Sequence, residues 1–280
     1  MRGGTATAIP NPAAGPPPDY ACAMNYLLLD VGNSCLHMAR SLSGQDRLGP
    51  MDRIPHDPLP DYADALARQW DQLPSDSPRE AILASVARTH TAAILDALAH
   101  RAITVKQIRL DIPLPLEMAI ENPGTVGVDR VLAAGAAWSV MKGPVVVIQL
   151  GTAVTVDAVS ASGVFLGGAI LPGLHVAAKA LHSFTAELPP VDVLQPTEPM
   201  GRNTEQAIRS GVFYGLVGAM RELVERFAGQ LGSWPTVVLT GGSAPLFLDS
   251  VDFADRHVPD LVLRGVALAA RQHAARLPTD

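Results

Sequence analysis

Apolar residues in this chain fall into short continuous runs broken by Gly, Asn and Pro, and between the runs they recur at helical spacing. Tyr26–Val31 is a run of strand length, and after a Gly-Asn-Ser turn Cys35–Ser41 reads as its hairpin partner. Pro55, Pro58 and Pro60 mark a loop before a helix predicted over 61–73. Ala81–Val86 predicts a short strand, Thr89–His100 a helix, Ile103–Arg109 a strand, and Pro113 to Pro123 a broken stretch. Val128–Met141 has helical spacing with Ala-rich faces that permit close packing. The second half repeats the order. Val145–Leu150, Val154–Val159 and Val164–Ile170 predict three strands, followed by a helix over 174–182. Asn203-Thr204-Glu205-Gln206 opens a long helix reaching about Ala228, Thr236–Thr240 is a strand ending in Gly241-Gly242, and Leu261–Ala275 closes the chain as a helix.

This order, given twice, predicts a mixed α/β fold of two similar lobes, residues 24–142 and 143–280. Residues 1–23 hold five prolines and three glycines with almost nothing to bury, so they are expected to be a disordered tail, with Met24 as an alternative start. Two phrases carry the repetition into chemistry. Leu27-Leu28-Leu29-Asp30-Val31-Gly32-Asn33-Ser34 and Val146-Val147-Ile148-Gln149-Leu150-Gly151-Thr152-Ala153 each run from an apolar strand to a polar residue, a spacer, a Gly and a small side chain. Gly lets backbone approach a ligand closely, and successive N–H groups in such a turn make an anion-binding nest. Two such turns are expected to face each other across a cleft and hold a nucleotide's phosphates.

Composition narrows the class. With 48% hydrophobic and 17% charged residues, the 280-residue chain can bury a substantial core. A formal net charge of −6 argues against a sequence-independent nucleic-acid binder, which needs a basic face. Cys22 and Cys35 cannot form a disulfide framework or a zinc site, which suits a reducing cytoplasm. No apolar run approaches the roughly 18 residues of a membrane span, and no charged start with a long apolar core marks a secretory signal.

Three further sites come from residue type and place. Asp30 near the first turn could lie beside a metal-bound triphosphate, or Asp30 and Asn33 could simply make local backbone hydrogen bonds; the echo at Gln149 favours the first. In Gly127-Val128-Asp129-Arg130, Asp129 is either a dipole-favoured charge in a first helical turn or a carboxylate that orients an attacking hydroxyl and accepts its proton. Arg130 beside it could pair with an anionic substrate group. Gly241-Gly242-Ser243-Ala244 could contact the adenosine end of a nucleotide, although a plain strand–helix connection has the same composition. The chain has no G-x-x-x-x-G-K-[ST] and no G-x-G-x-x-G after a strand, so the P-loop and dinucleotide readings lose their support. The eight histidines show no metal-ligand spacing, and no G-x-S-x-G elbow is present.

Taken in order, Asp30-Val31-Gly32-Asn33-Ser34, Asn122-Pro123 with Gly127-Val128-Asp129-Arg130, Gly151-Thr152-Ala153-Val154-Thr155-Val156-Asp157 and Gly167-Gly168-Ala169-Ile170-Leu171-Pro172-Gly173-Leu174 resemble the type III pantothenate kinases. Thr185-Ala186-Glu187-Leu188-Pro189, Asn203 to Gly211 and Thr240-Gly241-Gly242 complete the set, which covers residues 26–270 or so. The resemblance implies a duplicated actin-like (ribonuclease H-like) two-lobe ATPase fold, mixed sheets flanked by helices. It also implies ATP-dependent phosphorylation of pantothenate, the first step toward coenzyme A. Asp30, Val31, Gly32, Asn33, Ser34, Cys35, Leu36 and His37 would form the first phosphate loop, with Asp30 near Mg²⁺. Asp129 would be the general base; Gly127, Val128, Asp129 and Arg130 would line the pantothenate site, which Thr204 would also contact. Thr152, with Gly241 and Gly242, would contact ATP. The family works as a homodimer with a divalent metal and a monovalent cation such as K⁺ or NH₄⁺.

Two departures stand out. Gln149 replaces an Asp that helps hold the monovalent cation in many members, so a neutral carbonyl oxygen stands where a charge is expected. Ile120 stands where many carry a substrate-side Tyr. Two other readings follow from the same residues: a phosphotransferase or polyphosphate hydrolase of this fold with another acceptor, and a nucleotide-binding regulatory relative without turnover.

Overall fold

The computed structural model describes residues 24–192, 195–196 and 198–277; the expected tail over 1–23 lies outside them. The described chain divides into two compact units. Residues 24–117, 121–136 and 260–277 form one, and 118–120 with the described part of 137–259 the other.

The first unit is built on a five-stranded sheet. β1 (Asn25–Val31) is central, antiparallel to β2 (Cys35–Ser41) and parallel to β4 (Arg79–Ser85). β3 (Asp52–Pro55) extends the β2 edge and β5 (Val105–Gln107) the β4 edge, giving the order β3-β2-β1-β4-β5. Every residue of β1 is buried, the mark of a strand covered on both faces. Leu27, Leu29 and Val31 pack in one cluster with Tyr62 and Leu66 of α1 (Tyr62–Asp71) and with Ile94 and Leu98 of α2 (Arg88–Ala99). α6 (Leu261–Ala274) packs on β1, β2 and β4, so the last helix joins the sheet of the first half. Arg271 of α6 donates to Ser41 Oγ and Gln45 O at 2.9 Å each, fastening it there.

The second unit repeats the plan. β7 (Val145–Leu150) is antiparallel to β8 (Ala153–Val159), which is antiparallel to β9 (Val164–Pro172). β10 (Thr236–Thr240) and the two-residue β11 (Arg256–His257) add in parallel on the other side. The order is β11-β10-β7-β8-β9-β6, with β6 (Glu117–Met118) at the β9 edge. Numbered within each half, both sheets read 3-2-1-4-5, strands 1 to 3 antiparallel and 1, 4 and 5 parallel. That shared topology is the ribonuclease H-like duplication. α4 (Leu174–Ser183) and the 28-residue α5 (Thr204–Leu231) cover one sheet face, where Phe213 stacks on Phe247 with centroids 4.7 Å apart. α3 (Val128–Met141) carries the chain from the first unit to the second.

Departures from the sequence expectation have local causes. β3 is largely exposed and ends in Pro55, so hydrophobic pattern does not reveal it. The strand expected over 103–109 shrinks to Val105–Gln107, because a tight turn follows and Arg109 adopts φ 76°. Among the described residues no helix is long and apolar enough to cross a membrane.

Candidate functional site

The β1–β2 hairpin reverses at Gly32–Ser34, where Gly32 N donates to Cys35 O at 3.0 Å. Asp30 and His37 face each other in the hairpin register, and His37 Nδ1 donates to Asp30 Oδ2 at 3.3 Å. Asp30 is buried apart from its carboxylate edge (8% exposed). All eight residues from Asp30 to His37 therefore surround one turn, but they do not play one part. Val31 and Leu36 are fully buried in the core and Cys35 is nearly so, and all three have their backbone paired within the sheet or the turn. Asn33 and Ser34 are exposed at the tip.

A second layer of side chains, invisible in the sequence pattern, stands beneath this turn. His56 N donates to Ser34 O at 2.9 Å, and His56 Nε2 donates to Gly32 O at 2.9 Å. With that nitrogen carrying the proton, neutral His56 presents Nδ1 as an acceptor, and Tyr62 Oη donates to it at 2.7 Å. Tyr62 Oη in turn accepts from His90 Nδ1 at 3.1 Å. The imidazoles of His56 and His90 stack with centroids 3.7 Å apart. Burial holds His56 below the usual imidazole range; His90 and His37 push the same way, against the Gly32 carbonyl, which favours the charged form. Arg53 Nε donates to Cys35 Sγ at 3.1 Å, and a cavity of about 440 Å³ opens between Asn33, Ser34, Arg53, His56 and His90. The histidines come from three separate elements, so no spacing signal links them.

Asp129 sits in the first turn of α3, in the same unit. Its Oδ1 accepts from Arg130 N at 2.9 Å. A Cβ on Gly127 would lie 2.5 Å from that same oxygen, so the carboxylate folds over a position that only Gly leaves open. Val126 and Val128 are buried on either side, while Asp129 and Arg130 are half-buried. Arg109 binds the carbonyls of Pro123, Gly124 and Val126, just before this segment.

In the second unit the echo turn is the β7–β8 hairpin, where Gly151 N donates to Ala153 O at 3.0 Å and Thr152 is exposed. Two other turns converge on it. Gly173 N donates to Thr152 O at 3.0 Å. Gly241, at φ 98°, packs so tightly that a Cβ would lie 2.4 Å from Leu150 O, and Ser243 N donates to that oxygen at 3.0 Å. Gly241 and Gly242 therefore belong to the same constellation as Thr152. Thr204 lies elsewhere on this unit, at the first turn of α5, whose N-cap Asn203 side chain accepts from Gln206 N at 2.9 Å. It lines an apolar groove of about 680 Å³ between α4 and α5, with Leu181, Phe184, Leu188 and Ile208.

Gln149 stands opposite Thr155 in the β7–β8 register and opposite Thr240 in the β7–β10 register. Thr155 and Thr240 are buried, and Thr155 Oγ1 has no hydrogen-bond partner among the described residues. This row offers neutral oxygens, which suit water or a weakly held monovalent cation. No group of three or more His, Cys, Asp or Glu among the described residues is placed to hold a metal by itself. A lone Asp30 carboxylate fits Mg²⁺ brought in largely by substrate phosphates. Ile120 lies against β9, its Cγ2 3.4 Å from the position of a Cβ on Gly167.

Comparison with known proteins gives the family. The sequence matches the family model for type III pantothenate kinase over residues 26–226. The type III pantothenate kinase of Parafrankia sp. is 35% identical over 247 residues, covering 86% of this chain and 96% of that protein. The one from Gluconobacter oxydans is 41% identical over 155 residues, 55% of this chain, and the match spans just 57% of that relative. A solved structure described as a Baf family transcriptional activator from Campylobacter jejuni superimposes with a TM-score of 0.56 at 20% identity, covering 89% of this chain and 99% of that one. At that identity the likeness speaks for the fold alone.

Proposed function

The chain belongs to the type III pantothenate kinase family, and from that premise we propose that it transfers the γ-phosphoryl group of ATP to the primary hydroxyl of pantothenate. The products are 4′-phosphopantothenate and ADP, which opens coenzyme A synthesis. The observation that carries the reading is the Asp129 carboxylate, pinned over Gly127 at the start of α3 by the Arg130 amide.

Each element has a role in an in-line transfer. The tip of the Gly32–Ser34 turn holds triphosphate oxygens through Asn33 and Ser34, the Gly32 N–H being taken by Cys35 O. Asp30, kept in place by His37, supplies the carboxylate for a divalent metal, which neutralises phosphate charge when bound. Asp129 accepts the hydroxyl proton as the oxygen attacks phosphorus, and Gly127 to Arg130 line the acceptor, with Arg130 pairing its carboxylate. Thr152, Gly241 and Gly242 are assigned to ATP and Thr204 to pantothenate. The two halves, 24–142 and 143–280, are the duplicated segments, although α6 of the second half packs in the unit of the first sheet. Positioning and charge neutralisation supply most of the rate.

The same reading includes a homodimer. Phe184 (89% exposed) and Leu181 support it, since these exposed apolar side chains line the groove that holds Thr204. It also includes a monovalent cation at Gln149, held more weakly than by a carboxylate, and work in the cytoplasm. The test is ADP release from the purified protein with ATP and Mg²⁺, with and without pantothenate. Release that requires pantothenate is the expected result; pantothenate-independent release, or none, refutes the assignment.

A further inference from the structure

We infer that Arg109 is a positioning residue for Asp129: its guanidinium holds the backbone of residues 123–126, and so sets where α3 begins and where the carboxylate points. The inference rests on the reading of Asp129 as the base.

Arg109 Nη1 donates to Gly124 O at 2.7 Å, and Nη2 donates to Val126 O at 2.9 Å and Pro123 O at 3.2 Å. One side chain thus satisfies three carbonyls of a single loop. A planar, always-charged fork can do this, whereas a Lys ammonium acts as a point charge. These bonds involve a charged donor, which makes them stronger than neutral ones.

The backbone of Arg109 is itself held in an unusual state. Its φ of 76° is uncommon for a residue with a long side chain. A compact turn enforces it: Arg109 N donates to Ile112 O at 2.7 Å, Asp111 N and Ile112 N donate to Gln107 O at 2.9 and 3.2 Å, and Gln107 N donates to Asp111 Oδ2 at 2.8 Å. Ile112, 1% exposed, anchors the turn in the core. Strain of this kind persists only where the surroundings over-determine it, and it concentrates at functional sites.

The segment Arg109 holds ends one residue before Gly127. There the Asp129 carboxylate already lies where a single methyl on Gly127 would come within 2.5 Å of its oxygen. Buried Val126 and Val128 leave little slack on either side. A shift of the Val126 carbonyl is therefore passed to the base through two residues.

The test uses the full chain with R109Q, R109K, D129N and the R109Q/D129N double variant. Hydrogen exchange comes first: amides of 122–130 should exchange faster in R109Q, and unchanged protection overturns the inference. In steady-state kinetics, R109Q should lower kcat on the order of 10–100-fold, as expected for a misplaced catalytic group, with the KM for ATP unchanged. R109K should recover part of the loss. In the D129N background R109Q should add almost nothing, because residues acting as a unit are not additive. An equal fold-loss in both backgrounds overturns the inference, since Arg109 would then act independently of Asp129. If R109Q does not fold, R109K carries the same comparison with the same criteria. If the wild-type protein shows no pantothenate-dependent turnover, the kinase reading fails, and the exchange result alone decides whether Arg109 holds the segment.

Discussion

Replacing Tyr62 by Phe removes one oxygen from beneath the Gly32–Ser34 turn and keeps the ring that packs with Leu66 and Ile94. That oxygen donates to His56 Nδ1 at 2.7 Å and accepts from His90 Nδ1 at 3.1 Å. Each bond contributes about 1 kcal/mol net, and a buried group left without a partner costs about 1–3 kcal/mol. His56 is 7% exposed, so its Nδ1 bears that cost in full. His90 is only half-buried, so water replaces its lost partner. Phe also avoids burying a hydroxyl, which offsets part of the loss. The balance is a destabilisation of roughly 2 kcal/mol, or a melting shift of about 4–8 °C for a chain of this size.

The pH dependence gives the sharper test. His56 has a folded pKa lowered by burial, below the 6.5 of the unfolded chain. The unfolded state therefore binds more protons, and the stability contribution is present above about pH 6.5 and lost as pH falls through the folded value. The Tyr62 hydroxyl bonds the neutral form, so Tyr62→Phe moves the pKa upward, while burial, the main cause of its lowering, stays. The variant should lag the wild type most at pH 8 and less at pH 5.5 in urea denaturation. Because His56 Nε2 holds Gly32 O, the KM for ATP should also rise several-fold with kcat little changed. Wild-type stability at pH 8, together with an unchanged KM for ATP, would refute the relay.

Asp129→Asn should cut turnover on the order of 10²–10⁴-fold, as for loss of a general base, while ATP binding measured by calorimetry stays close to wild type; near-normal turnover would remove Asp129 from the chemistry. Gly127→Ala should also lower kcat, because its Cβ would meet Asp129 Oδ1 at 2.5 Å, and unchanged kcat would show that the carboxylate has room to move. Gly241→Ala combines φ 98° with a 2.4 Å clash on Leu150 O, so it should destabilise by more than about 1 kcal/mol and raise the KM for ATP; a melting curve that overlays the wild type would contradict the packing. With Gln149 facing Thr155 and Thr240, activity in K⁺ and Na⁺ buffers should differ less than a carboxylate site would allow, and a strict K⁺ requirement would count against the neutral row.

What could be seen in advance, and what could not, divides along a physical line. β1 and β7 are fully or almost fully buried runs ending in Gly turns, and each sits at the centre of its sheet with neighbours of the same order. Burial on both faces writes itself into local composition, so the duplication was legible. The packing of α6 on β1 was not: its apolar face says that it is covered, not which sheet covers it. The same limit applies to the site. Asp30, Asp129 and the two Gly turns can be picked out as candidates because each stands in a short local phrase of Gly, small and acidic residues. His56, Tyr62 and His90 come from the end of β3, α1 and α2, and they meet only through tertiary folding. Arg109 serves carbonyls 14 to 17 residues away. A side chain that satisfies distant backbone leaves no periodicity, and nothing in its own neighbourhood requires it. The candidate reacting groups therefore stand in local sequence phrases, while the groups that hold their loops still are found by asking where each loop carbonyl and each buried nitrogen finds its partner.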